Sequence, residues 1–506
     1  MDLITSILCF VLILCISIKA IRSYSNPKSS KKLNIPPGPK PLPIIGNLFD
    51  LGNKPHQSLA RLAKSYGPLM SLKLGQVTTI VVSSPALAKE VIMGQSQFFS
   101  NRSVPDAAHA LGHCQYSMAW LPVSNYWRNL RRLSNSQLLA ASVLDANMNL
   151  RHNKVEDLLR EVQKSANAGQ AMEVGKAAFL TTLNLLSTTF FSMDLLADPN
   201  SETVRQFKKD VVGIFEELGK SNMADHFPFL KKFDPQGIRR RTELYFQKML
   251  DLFNRIIDER LQRLKEANGS VKENDILDNL INMMLAGEDN RGYDQVDRAA
   301  ISHFLLDLFP AGTDTTSATL EWAMAELVKA PEIMAKARKE LEQVIGKGNQ
   351  VKESDINQLP YLQAIVKETF RLHPVAPLLV PRIADGDVEL YGYSVPKDAK
   401  VLINIWAIGR DSNVWENFEE FIPERFLKST IETGGRDFEL IPFGAGRRIC
   451  PGILLANRML HLMLGSLLHS FDWKLEDGVE TVNLDDKFGL TLQLAQPLRV
   501  VPIAIA

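Results

Sequence analysis

The stretch FGAGRRICPG, residues 443–452, constrains this chain more than any other. It places one of only four cysteines in a turn between two arginines and a Pro-Gly pair. Cys9 and Cys15 lie in an apolar N-terminal run, which leaves Cys114 as the companion of Cys450 in the body. Such sparse cysteine argues against a disulfide scaffold and fits a reducing compartment. Zinc would need partner ligands at spacings that are absent around Cys450. An inert buried cysteine is the plain alternative, since free cysteine is often buried. The surroundings suggest more. Gly444, Gly446 and Gly452 permit close backbone approach, Arg447 and Arg448 supply cations, and turn amides beside cations keep a thiolate ionised. A lone thiolate suits an iron whose other in-plane bonds come from a porphyrin. The turn by itself leaves both readings open.

The N-terminus is the second constraint. Leu3 to Ile18 carries no charge, and Ala20 and Ile21 extend the run past Lys19. That is close to the roughly 20 residues that cross a bilayer. Asp2 precedes the run, whereas Lys19, Arg22, Lys28, Lys31, Lys32 and Lys40 follow it, the reverse of a cleaved signal peptide. The expectation is a retained single-pass anchor over residues 1–22, with the bulk of the chain in the cytosol. Residues 23–46 read as a basic linker and a stiff strut, because Ile35–Gly46 holds five prolines, too many for a helix or a central strand. Two glycosylation sequons, at Asn101 and Asn268, would stay bare on a cytosolic domain.

Residues 47–506 read as one large domain, mainly α-helical with small β-sheets. Helical periodicity is strongest over Thr242–Leu264 and His303–Val328. A hairpin about Gly75 joins Leu69–Leu74 to Thr78–Val82, and extended chain returns at Val388–Val395 and Val401–Ile405. The formal net charge of +1 gives no support for a nucleic-acid partner.

Further patterns have bland readings when taken singly. Glu368 and Arg371, in a helix starting near Pro360, are neighbours on one face, and such a pair is usually a weak surface contact. Trp127 to Arg131 could be a solvated basic helix face. Leu308 to Thr316, LFPAGTDTT, combines Pro310 and Gly312, which disfavour a regular helix. Ala311 and Thr315 share a face, making a small-residue notch with a hydroxyl beside the Asp314 carboxylate. A kinked buried helix with threonines bonded back to carbonyls accounts for the same residues.

Together these patterns resemble the cytochrome P450 enzymes along nearly the whole chain. Phe443, Gly446, Arg448, Cys450 and Gly452 fill the haem-loop motif F-x-x-G-x-R-x-C-x-G. RSVPDAAHA at 102–110, WAIGRD at 406–411 and ELIPFGAGRRICPG at 439–452 are similar to the plant microsomal branch that includes geraniol 8-hydroxylases. The resemblance implies the cytochrome P450 fold behind an N-terminal transmembrane helix, and haem b (iron protoporphyrin IX) with Cys450 as axial iron ligand. It also implies Phe443 against the haem, and propionate contacts from Trp127, Arg131, Arg382 and Arg448. Glu368 and Arg371 would join Arg425, of Pro423-Glu424-Arg425-Phe426, in a structural triad. Asp314 and Thr315 match the acid-alcohol pair that delivers protons to bound dioxygen. Pro310 departs from the family, where a small or branched apolar residue is usual.

Electrons must come from another protein. Gly444-Ala445-Gly446 starts like a dinucleotide fingerprint, but no βαβ unit follows. The resemblance implies NADPH–cytochrome P450 reductase, in the endoplasmic reticulum membrane, docking near the basic Arg128–Arg132 region. Val104–Leu121 contains no lysine or arginine, and Pro374–Pro381 is apolar. The candidate pocket residues are Val104, Leu121, Ala311, Val375, Leu378, Leu379, Leu490 and Leu492, a lining for a neutral lipophilic substrate. Asp106 and His109 read as exposed loop polarity. The branch implies oxidation of a terminal allylic methyl on a geranyl-type chain. It also contains hydroxylases of geranylated phenols, diterpenes and tyrosine. A haem-thiolate isomerase or dehydratase, needing no reductase, is the alternative from another class, and Asp314-Thr315 argues against it.

Overall fold

The computed structural model describes residues 34–195, 202–266, 275–286 and 297–505. The expected anchor, most of its basic linker and the Asn268 sequon lie outside the described residues. No helix among the described residues is long and apolar enough to cross a membrane.

Seven helices position the site: α1 (Asn125–Leu133), α2 (Val174–Phe191), α3 (Glu202–Gly219), α4 (Ile238–Glu266), α5 (Arg298–Lys329), α6 (Pro360–Leu372) and α7 (Ile453–Ser470). The α5 helix begins where the Asp297 side chain accepts from the Ala300 amide at 2.7 Å, as an N-cap should. Its 32 residues span ~48 Å at 1.5 Å per residue. Buried residues occupy all its faces, the pattern of a helix running through a core, and α2, α3, α4, α6 and α7 pack around it. Phe304 and Phe309 join Phe190, Phe191 and Phe253 in one apolar cluster. Leu320, Ala323 and Leu327 join residues of α6 and α7 in another. The sequence suggests an irregular helix at Pro310, but α5 runs unbroken through it. Only the bond to the Leu306 carbonyl is lost with the proline N–H, and packed neighbours on all sides hold the axis.

The main sheet consists of β1 (Leu69–Leu74), β2 (Val77–Val82), β3 (Arg382–Ile383) and β4 (Lys400–Ile403), in the order β1-β2-β4-β3. The hairpin sets Leu69 opposite Val82 and Leu74 opposite Val77. Its turn requires Gly75: φ is +59°, and a Cβ would come within 2.7 Å of the His226 carbonyl. Val388–Val395, suggested as one extended stretch, is a separate small hairpin. The proline strut is fastened along β1. Ser71 donates its amide to the Pro37 carbonyl at 2.8 Å and its hydroxyl to the Pro36 carbonyl at 2.6 Å. A last pair, β5 (Asp486–Lys487) and β6 (Gln493–Leu494), is antiparallel, and β6 packs against α5.

The chain from Gly409 to Arg425 wraps around α6 and leads to the cysteine loop. Glu368 and Arg371 are not a surface pair; both side chains are fully buried. Arg371 donates from Nε and Nη2 to the Glu368 carboxylate, each at 2.7 Å. Its Nη1 reaches the Gly409 and Phe418 carbonyls at 2.6 and 2.7 Å. Arg425 Nε adds a bond to Glu368 at 3.1 Å, and the Ile422 amide another at 2.8 Å.

Candidate active site

The loop bearing Cys450 closes when the Cys450 amide donates to the Phe443 carbonyl at 2.9 Å. Phe443 is pinned by an edge-on contact with Phe370 of α6, centroids 5.2 Å apart, and α7 starts three residues after the cysteine. Burial pushes the Cys450 thiol up, opposed by a hydrogen bond from the Gly452 amide and by the charge of Arg131. The sequence suggests that turn amides and arginines would hold the sulfur ionised. Here Arg447 is exposed and Arg448 is turned toward carbonyls, so burial prevails. A metal bonded to the sulfur displaces that proton outright.

Cys450 opens into a cavity of about 370 Å³ whose opposite wall is α5, through Ala311, Gly312 and Thr315. Ala311 is exposed in the middle of an otherwise buried helix because it faces this space. The Thr315 hydroxyl donates to the Ala311 carbonyl at 2.7 Å, which leaves its oxygen free to accept from the cavity side. Asp314 points elsewhere. Its carboxylate accepts from Thr491 Oγ1 at 2.7 Å and Gln493 Nε2 at 2.6 Å and does not line the cavity. Burial pushes it up to about 6 against those two donors and Lys208.

Five arginines line the same cavity: Arg151, which is paired with Glu353, and four more, Arg102, Arg131, Arg382 and Arg448. Arg382 Nη1 donates to the Phe99 carbonyl at 2.7 Å. Arg102 Nη1 donates to the Val380 carbonyl at 2.6 Å. Arg448 reaches the Ser100, Met118 and Leu121 carbonyls and lies over the Trp127 ring, 4.4 Å from its centroid. Carbonyls do not neutralise cations, and among the described residues none of the four forms an ion pair with a carboxylate. The Nε atoms of Arg102 and Arg382 are buried with no partner at all. Burial pulls Arg382 and Arg448 down to about 10, with Arg382 and Arg131 also acting on Arg448. Burial, then Arg382 and Arg448, lowers Arg102. Uncompensated buried cations are unstable unless an anion joins them. A dianionic, planar, apolar group with a metal at its centre matches this arrangement: carboxylates toward the arginines and metal toward Cys450. The residues therefore fit haem.

The cytochrome P450 family model matches residues 36–500. This chain belongs to that family. A geraniol 8-hydroxylase of Swertia mussotii is 54% identical over 94% of this chain and 94% of its own length. A geraniol 8-hydroxylase of Catharanthus roseus is 52% identical over 94% and 95%. A geranylhydroquinone 3''-hydroxylase of Arnebia euchroma is 48% identical over 94% and 95%. The protein is accordingly a cytochrome P450 monooxygenase, an oxidoreductase that uses haem, dioxygen and electrons from a redox partner on a lipophilic substrate.

Several expected residues of this cytochrome P450 fall elsewhere. Trp127 does line the cavity, its ring under Arg448 and its indole N–H donating to the Met118 carbonyl at 3.0 Å. Of the candidate pocket residues, Ala311, Val375 and Leu379 line the cavity, while Val104, Leu121, Leu378, Leu490 and Leu492 do not. Leu378 packs toward β1. Leu490 joins the cluster on the α4 side of α5. Leu492 backs the wall, its amide bonded to the Val375 carbonyl at 2.8 Å. Asp106 is buried rather than exposed, its carboxylate meeting Arg239 at 3.4 Å. The Asn101 sequon amide is occupied as well, bonded to Asp385 and to the Val123 amide.

Among the cavity residues that escaped the sequence reading are two charged ones, Arg102 and Asp307. Arg102 gave no local signal, because its link to Arg382 is a β-bridge between distant segments. Asp307, one helical turn before Ala311, also lines the cavity, its carboxylate accepting from the Ser117 hydroxyl and the Met118 amide, each at 2.6 Å.

Proposed function

We propose that the protein hydroxylates a terminal allylic position of a monoterpenoid such as geraniol, using electrons that NADPH supplies through a cytochrome P450 reductase of the same membrane. The observation that carries this is the cavity: its arginines gather where propionates would lie, and Ala311, Val375, Ala376 and Leu379 leave a largely apolar wall for a neutral chain held by shape. The names of the relatives from Swertia mussotii and Catharanthus roseus point to the same substrate.

When bound, the haem supplies dioxygen activation and C–H oxidation. Cys450 Sγ would bind its iron, and Arg102, Arg131, Arg382 and Arg448 would hold its propionates, with Trp127 beneath Arg448 and Phe443 bracing the loop. Ala311 and Gly312 keep side-chain bulk away from the notch, and the Thr315 hydroxyl, with water and Asp314, would supply protons there. One oxygen atom goes to substrate and the other leaves as water, consuming two electrons and two protons. Glu368, Arg371 and Arg425 do no chemistry; they fix the path of the chain into the cysteine loop. Residues 1–22 anchor the protein in the endoplasmic reticulum membrane and residues 23–46 space it from the catalytic domain of 47–506. The charge order around Leu3–Ile18 supports this placement.

A second reading, hydroxylation of the geranyl chain of a prenylated hydroquinone, is favoured by the Arnebia euchroma relative. Turnover in microsomes with added reductase and NADPH, offering geraniol, geranylhydroquinone and tyrosine together, separates the readings. Hydroxygeraniol dominating at low substrate concentration supports the monoterpenoid; preference for either other compound overturns it. Cys450→Ala is expected to abolish the red-shifted Soret band of the reduced carbon monoxide complex, and an unchanged band would sink the ligand assignment.

A further inference from the structure

Asp314 is cut off from the space it serves. Its carboxylate is buried, does not reach the cavity, and spends both oxygens on the β6 strand and the turn before it. The two partners differ in kind. A hydroxyl donates and accepts, so Thr491 can release its proton to Asp314 while taking another from behind. An amide NH₂ only donates, so Gln493 can hold the carboxylate but cannot refill it. Behind them lies a second pocket, separate from the first, of about 10 Å³, lined by Thr491 and Gln493 together with Phe215, Glu216, Lys487 and Phe488. That is about the room and polarity one water needs. Glu216 and Lys487, paired at 2.5 Å with side chains 32% and 52% exposed, carry the line to the surface.

We infer that this line is the proton inlet of the enzyme: a water held between α3 and the β5–β6 hairpin gives a proton to Thr491 Oγ1 as the Thr491 hydroxyl proton passes to Asp314 Oδ2. The water takes its replacement proton from solvent beside Glu216 and Lys487. Gln493 is a positioning residue that keeps the carboxylate aimed at Thr491. Burial, helped by the charge of Glu216 and opposed by Thr491, Lys208 and Gln493, brings Asp314 to about 6. A carboxyl there both takes and releases a proton near neutral pH, as a relay must. The inlet rests on the reading of Asp314 as the acid behind Thr315.

The test compares holoenzyme carrying Thr491→Val, Thr491→Ser or Asp314→Asn, in bilayers with reductase, on the substrate selected above. Thr491→Val is expected to lower product formed per NADPH about tenfold, the scale of a weakened general-acid step. Turnover driven by cumene hydroperoxide, which bypasses this proton supply, should stay near wild type. The same variant should shift the infrared carboxyl band that Asp314→Asn removes, and Thr491→Ser should restore both readouts. Coupling retained in Thr491→Val but lost in Asp314→Asn overturns the inlet and spares the acid assignment. Coupling retained in both overturns the acid assignment itself. Equal loss of NADPH-driven and hydroperoxide-driven turnover in Thr491→Val, or no rescue by serine, makes Thr491 an anchor of the hairpin and overturns the relay.

Discussion

Two clusters of arginine inside the fold are built on opposite terms. Around Glu368, two guanidiniums share one carboxylate, the spare N–H groups reach carbonyls, and the Ile422 amide takes part as well. Around the cavity, Arg382 is buried and Arg102 half-buried, but they meet carbonyls and each other, and each keeps a buried Nε without a partner. A chain that answers its own charges is using them to hold a shape. One that leaves cations unanswered in its interior destabilises itself unless an anion arrives. The contrast separates structural arginine from ligand-binding arginine without reference to any motif.

The most severe way to break the contrast is to make the first cluster like the second. Glu368→Gln keeps the volume but leaves Arg371 and Arg425 buried with no carboxylate. Removing one partner of a buried pair costs about 3–5 kcal/mol. Chemical unfolding should show a loss of that order, with little native protein at physiological temperature. A loss below about 1 kcal/mol would mean that the carbonyls suffice, and the distinction would fail.

How much of this was legible beforehand depended on how local each signal is. The Cys450 loop and the Glu368–Arg371 pair are short-range patterns, and both stand where the sequence suggests; only burial separates the pair from a surface contact. Arg102 was not legible because it meets Arg382 through pairing across 280 positions. Leu378 and Leu379 are adjacent and equally apolar, yet one faces β1 and the other the cavity. An apolar run without periodicity does not reveal which side is which. The fold class was readable from the long helical segments, whereas the unbroken course of α5 through Pro310 depends on neighbours that local propensity ignores.

Asp314 is intermediate between the clusters: a buried carboxylate answered by a neutral hydroxyl and a neutral amide, with Lys208 acting only from a distance. Burial prevails and raises its protonation to about 6 from an ordinary 3.8. Between those values the native protein binds a proton that the unfolded chain does not, so wild type loses stability as pH rises from about 4 to about 6 and levels off above. The whole window is worth about 3 kcal/mol. Asp314→Asn removes this dependence, and the Tm difference between wild type and variant should narrow or reverse across the window. A difference constant from pH 4 to 7 would mean that the carboxylate is charged throughout, and Asp314 would then belong with Glu368 as a structural acid.

The smallest effect sharpens the contrast most, because its sign changes with occupancy. Arg102→Met replaces an unanswered cation with an apolar side chain of similar length. In apoprotein this removes a destabilising charge, and stability to urea should rise by about 1 kcal/mol. In holoprotein it removes a propionate partner, and haem should transfer to apomyoglobin with about tenfold weaker retention, equivalent to about 1.4 kcal/mol. Glu368→Gln shows no such reversal, since its cluster receives nothing from outside and loses in both states. Destabilisation of apoprotein and holoprotein alike by Arg102→Met would place Arg102 with the structural arginines, its bond to the Val380 carbonyl outweighing its charge. A gain without haem and a loss with it would make the unpartnered Nε a signature of the ligand the fold was built to receive.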